Sequence, residues 1–273
     1  MSSKIQVLSN RVLKKIKGFR ITRSVFAFPY ILFLMLFVVV PLLILLVNAF
    51  VADGAITLRN FYDLIVDGAS LKTLWFSLLV GFVTTVLCIL IGYPVAYILS
   101  KRSAGRLIVL LFVLPMWVNC LIRTLATRAL FESLNAEFGI GTLIFGMVYN
   151  YIPFMILPLH TTISNIDKSY SEAASDLGAN SVTTFLKVNF PLSIPGLISG
   201  ITMVFIPTIS TFAISQFLGG TSSHLFGDSI NTKFEHQLYG VGSVMSLIML
   251  VLVLVSNFII SKVNKGETAD NLW

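Results

Sequence analysis

The sequence predicts an all-α integral membrane protein with six transmembrane helices and both termini on the cytoplasmic side. Three observations carry that prediction. Hydrophobic residues make up 56% of the chain and charged residues 11%, too little charge to cover a water-soluble surface. Six stretches are long and apolar enough to cross a bilayer, which takes about 20 residues each. Lys and Arg then fall unevenly between the connecting segments.

The six stretches are residues 28–50, 74–99, 107–131, 142–163, 195–218 and 241–261. With the N-terminus inside, the inner segments hold 14 basic residues and the outer ones three, which orients the bundle. Half of the inner set lies in the first 23 residues (Lys4, Arg11, Lys14, Lys15, Lys17, Arg20 and Arg23), so the net charge of +7 belongs to a tail. A basic face fit for nucleic acid is absent from the rest. The tail reads as a topology determinant. Its apolar residues Ile5, Leu8, Val12, Ile16 and Phe19 have the spacing of a helix on the inner leaflet, the alternative reading. The first stretch outruns a signal-peptide core and lacks a small-residue cleavage site, so it reads as a retained helix. The domains expected are a tail over 1–27, a membrane domain over 28–261 with its core at 74–261, and a second tail over 262–273.

Prolines interrupt the spans at Pro29, Pro41, Pro94, Pro115, Pro153, Pro158 and Pro207, bending helices and freeing carbonyls. Gly196 and Gly200 form a G-x-x-x-G suited to close helix packing. Cys88 and Cys120 sit in apolar runs and read as small hydrophobes. No Gly-Lys dipeptide occurs, so a phosphate-binding G-x-x-x-x-G-K-[ST] loop is impossible. His160, His224 and His236 lack metal-ligand spacing, and His160 reads as a packed histidine. No acidic residue lies near the centre of a span, which weakens a proton- or ion-driven carrier. A membrane enzyme finds no catalytic constellation.

The inner segment 164–194 is the informative one. Ser169 and Glu172 have the spacing of a capping box, and Gly178 fits the left-handed position that ends a helix. A two-turn helix is expected over 170–177. A second helix follows from Ser181, capped by Asn180 and stopped by Pro191. Glu172-Ala173-Ala174, Gly178, Val188, Phe190 and Pro191 fall at the spacing EAA-x3-G-x9-I-x-L-P, with Val188 and Phe190 as hydrophobic replacements. This resembles the EAA loop of bacterial ABC importer permeases. Four further segments resemble the permeases of polyamine importers: Tyr93-Pro-Val-Ala-Tyr97, the run from Leu114 to Arg123, the run from Tyr151 to Pro158, and Gly219-Gly220.

The resemblance implies a type I importer permease fold in the bacterial inner membrane. It implies that Glu172, Ala173, Ala174, Asp176, Leu177, Gly178, Val188, Phe190 and Pro191 form a coupling element. That element would dock on a homodimeric ATP-binding subunit, which carries ATP and Mg. It further implies a second permease subunit and an extracytoplasmic solute-binding protein. This chain would hold no cofactor, metal or catalytic residue of its own. The cargo implied is spermidine or putrescine. The same machine with another cargo, phosphonate or ferric ion, is the alternative within the class, and a six-helix secondary carrier the alternative outside it.

A flexible polycation calls for aromatic faces and carbonyls along its path. Trp117, Asn119, Arg123, Tyr149, Asn150, Tyr151, Ser210, Thr211, Ser215 and Gln216 are the candidates. Asn119 and Arg123 share a helical face. Counted from Leu107 along a straight helix, Arg128 lies roughly 32 Å up, with Arg123 about 7 Å below it. Arg128 can pair with Glu132 one turn on. Arg123 is left to snorkel or to pair across to a partner subunit.

Overall fold

The computed structural model describes residues 23–52, 54–102, 105–221 and 223–270; the inner-leaflet option for the tail concerns residues 1–22 and lies outside them. The chain divides into residues 1–48 and 49–273. Among the described residues, five helices are long and apolar enough to span a membrane, or six if one bent pair counts as one.

In the first unit, α1 (Arg23–Leu34) continues through a π turn at Met35–Val39 into α2 (Val40–Phe50). The Phe28–Phe50 stretch has a mean hydropathy of 3.2 and matches the expected first span. The π turn is explained by Pro41. A proline ring collides with the carbonyl four residues back. The widened turn moves that carbonyl away, and Val40 N–H instead bonds Met35 O.

The second unit opens with a two-stranded hairpin, β1 (Val51–Ala52) and β2 (Ala55–Ile56), and α3 (Arg59–Asp67). Gly68, at φ +56°, turns the chain into α4 (Ala69–Ser100). Then come α5 (Gly105–Val113), a 3-10 turn (Leu114–Trp117), α6 (Cys120–Ser133) and α7 (Ile140–Ser164). Beyond them lie α8 (Lys168–Asp176), α9 (Ser181–Thr184), a π turn (Phe185–Asn189), α10 (Phe190–Ser210), α11 (Ala213–Leu218), α12 (Phe226–Glu235) and α13 (Tyr239–Asp270).

Helices α4, α7 and α10 pack on one another around Cys88, Tyr93, Ala96, Met155, Ile156, Leu159 and Val204. The expected glycine contact is present. A Cβ at Gly196 would lie 2.5 Å from Thr162 Oγ1, and one at Gly200 2.6 Å from Met155 Sδ. Small residues let these backbones approach. A second cluster joins α3, α10, α12 and α13 through Leu64, Ile209, Phe226, Val244 and Met245. A third joins α4, α7 and α11 through Val80, Leu143, Met147, Ile214 and Leu218. His160 is buried, with Nε2 3.3 Å from Ser164 Oγ, the packed histidine expected.

Three expectations need correction. The third span is not straight: Leu107–Trp117 and Cys120–Ser133 meet at 90°. Pro115 opens the 3-10 turn, Val118 and Asn119 are extended, and the Asn119 side chain accepts Leu121 N–H at 2.8 Å to start a new helix. The 32 Å depth assigned to Arg128 assumed one axis and fails with it. The fifth span does not run over 195–218. It starts at Ser181, continues to Ser210, and breaks at an extended Thr211 before α11. Pro191 does not stop the helix, because a π turn precedes it, with Phe190 N–H bonding Phe185 O. The same device stands before Pro41.

Candidate functional site

The EAA segment forms a short exposed helix fixed by neighbours in sequence. Its N-cap is Asp167 rather than Ser169: Asp167 Oδ1 accepts Ser169 N–H at 2.9 Å. Hydrogen bonds from the Ser169 backbone and hydroxyl hold the Asp167 carboxyl below the usual carboxylate range. The expected capping box gives way because a carboxylate two residues earlier starts the helix sooner and takes the Ser169 N–H itself. Glu172 and Ala173 are exposed on the resulting helix and Ala174 is half-buried.

The helix ends as Gly178 requires. Gly178 has φ +82°, its N–H bonds Ser175 O at 2.9 Å, and Ala179 N–H bonds Ala174 O at 3.0 Å. These two bonds make a Schellman motif, which needs a left-handed residue at that position. Asn180 Oδ1 then accepts Thr183 N–H at 2.8 Å to start α9. Leu177 stands 89% exposed at this corner, with Asp176 exposed beside it. Val188 is half-buried in the π turn, while Phe190 and Pro191 are exposed.

Behind this corner lies an aromatic cluster that sequence reading missed. Phe185 meets Tyr93 and Tyr97 edge to face, with centroids 5.8 and 5.0 Å apart. Phe190 sits 5.7 Å from Tyr93. The Tyr93 hydroxyl and Ser193 Oγ are 2.7 Å apart, and Lys101 Nζ lies over the Tyr97 ring at 5.3 Å. Ser171 Oγ donates to Asn189 Oδ1 at 3.3 Å, tying α8 to the π turn. The available signal was the spacing of Tyr93 and Tyr97, one helical turn apart on α4. A cleft of about 760 Å³ opens beside the helix, bordered by Lys101, Arg102, Lys168, Glu172 and Asp176 among others. The arrangement is an exposed apolar knob on a short helix, tied by Ser171 to a π turn whose rings pack on a long membrane helix.

The path candidates divide. Arg123, Asn150, Tyr151 and Thr211 come together where α6 and α10 break. Cys120 Sγ donates to Asn150 Oδ1 at 3.5 Å, and Asn150 Nδ2 donates to Gly146 O at 2.8 Å. The Tyr151 hydroxyl bonds Thr211 within the field of Arg123. Cys120 is therefore half-buried and bonded, more than a hydrophobic filler. Asn119 is a helix cap. Trp117 is 82% exposed at the end of the 3-10 turn. Tyr149 is half-exposed and stacked on Phe145 at 6.5 Å. Ser210 bonds Ile206 O within its own helix, and Ser215 is buried and donates to Phe212 O. Gln216 is exposed on α11. Arg128 Nε meets Glu132 Oε1 at 2.8 Å, the pair expected.

Residues 88–267 match the model of the binding-protein-dependent transport system inner membrane component family. The chain belongs to that family. This places it in the inner membrane as a transport permease. Relatives agree. It is 34% identical over 259 residues to the spermidine/putrescine transport system permease protein PotB of Haemophilus influenzae, covering 85% of this chain and 90% of that protein. It is 32% identical over 227 residues to PotB of Escherichia coli, covering 74% and 82%. Among solved structures, a chain of a bacterial ABC transporter that imports alginate superposes with a TM-score of 0.66 at 14% identity, over 92% of this chain and 99% of that one. A chain of the MetNI methionine ABC transporter does so at 0.59 and 18%, over 72% and 95%. The fold is that of type I ABC importer permeases.

Proposed function

We propose that this permease is one of two different membrane subunits of an ATP-driven importer, and that its cargo is a polyamine, spermidine or putrescine. A homodimeric ATPase binds ATP and Mg and docks on α8. A solute-binding protein delivers cargo at the opposite end of the bundle. Both termini and α8 face the cytoplasm. One observation carries the reading: the EAA pattern lies on a capped, exposed helix whose Leu177 projects outward and which Ser171 ties to Asn189, in the π turn that Phe185 packs against Tyr93 and Tyr97 of α4. Tilting α8 would therefore move a membrane helix. The names borne by the relatives support the polyamine cargo.

Labelled polyamine uptake by the assembled transporter tests the cargo. Unlabelled polyamine should abolish it, and phosphonate and iron should leave it intact. Single cysteines at positions 177 and 62, both exposed, test orientation in a background lacking Cys88 and Cys120. Position 177 should react only from inside and 62 from outside. An anionic cargo such as phosphonate is favoured by one feature, the buried guanidinium of Arg123 beside the broken helices. Phosphonate uptake that polyamine cannot compete would establish it.

A further inference from the structure

Arg123 is a cation whose counter-charge does not come from the described part of this chain. It is only 9% exposed, and its Nε and Nη1 have no hydrogen-bond partner. The next cation on α6, Arg128, is satisfied by Glu132. A charge withdrawn from water needs both a counter-ion and partners for its donors. A cleft of about 370 Å³ opens at Arg123, walled by Val118, Ile122, Leu130, Phe145 and Tyr149. The walls are apolar and face outward: Ile122 is 59% exposed, Leu130 54% and Phe145 50%. An occupant must therefore be apolar over most of its surface and carry an anion at one point. A carboxylate supplies the missing negative charge and accepts charge-assisted hydrogen bonds from a guanidinium.

Two other occupants fit less well. A polycationic cargo would be repelled by the guanidinium. A lipid-facing arginine extends toward the headgroups, whereas this one is folded into the protein beside Tyr149.

We infer that Arg123 receives an Asp or Glu carboxylate from a helix of the second membrane subunit, and that the cleft between α6 and α7 is where the two subunits meet. The inference rests on the two-subunit reading above. The pair would fix the register of the subunits and neutralise a positive charge bordering a polyamine path.

The test uses the whole transporter, with a tag on this chain. Ile122→p-benzoylphenylalanine, in a chain that keeps Arg123, should photocross-link to the second membrane subunit within one helical turn of an Asp or Glu. Arg123→Glu should lower the co-purified second subunit at least tenfold, and Arg123→Lys should retain most of it. Placing Arg at the mapped acid should restore assembly to Arg123→Glu. Cross-linking to lipid alone overturns the inference. So does an adduct with no acid nearby, or full retention by Arg123→Glu. If Arg123→Glu does not accumulate in the membrane, the cross-link map decides. A wild-type chain that brings down no second membrane protein overturns the two-subunit reading, whereas a retained subunit indifferent to Arg123→Glu overturns only the role of Arg123.

Discussion

Helix α8 and helix α11 are both short, yet they are held in place by opposite means. α8 is closed by residues within a few positions of it: Asp167 at its start, and Gly178 with the two Schellman bonds at its end. Its outer surface touches nothing else in the described chain, and Leu177 is 89% exposed. α11 has no side-chain cap at its start. It is fixed instead by distant partners: Ile214 and Leu218 lie against Gly146, and Thr142 Oγ1 donates to Leu218 O at 2.7 Å. The contrast fits two duties. A docking element, the role proposed for α8, must keep its shape while presenting a bare surface. A broken helix at membrane depth is tolerated only where protein or a water-lined cavity covers it.

The comparison is open to attack at several points. The largest effect should come from Ala173→Trp. The added ring lies on the bare face of α8, so uptake should be lost while the amount of chain in the membrane stays near normal, as read by immunoblot. Normal uptake would remove docking from α8. Next, Gly146→Val should drive a side chain into Leu218 and Ile214. Overpacking of this kind costs about 1–3 kcal/mol, seen as a lower midpoint in thermal aggregation of the purified transporter. An unchanged midpoint would mean that α11 is not held from α7.

Gly178 sharpens the local side of the comparison. A Cβ there would meet nothing within 4 Å, and only φ +82° resists substitution. Gly178→Val should therefore strain the turn by about 1–2 kcal/mol and reduce uptake. Gly178→Asn, which takes left-handed φ more readily, should retain most of it. Equal losses from both would point to contact with the ATPase rather than to backbone strain. Tyr93→Phe removes only the bond to Ser193 and should cost about 1 kcal/mol, with uptake lowered modestly. Smallest in stability is Trp117→Ala. The ring is 82% exposed, so the aggregation midpoint should not move, and impaired polyamine uptake would place it on the path.

What the sequence determined follows the range of the forces involved. Apolar length marked the first, second, fourth and sixth spans, because crossing a bilayer needs a fixed run of apolar residues whatever lies beside it. Gly178 and Asn180 were legible because caps and left-handed turns are settled within a few residues. The glycines at 196 and 200 were legible as a packing stripe, but not their contacts with Thr162 and Met155.

The tertiary structure decided the rest. Whether a proline breaks a helix depends on the turn before it, and the π turns before Pro41 and Pro191 carry the helix through. The signs of the break in the third span, Pro115 and Asn119, are both in the sequence. Their meaning depended on α11 being placed to pack on α6 and α7. Arg123 comes from α6, Asn150 and Tyr151 from α7, and Thr211 from the break after α10, and only packing brings them to one place. Side chains far apart in sequence meet when apolar faces and small residues select one arrangement of helices. That selection is a property of the whole bundle, which no local pattern contains.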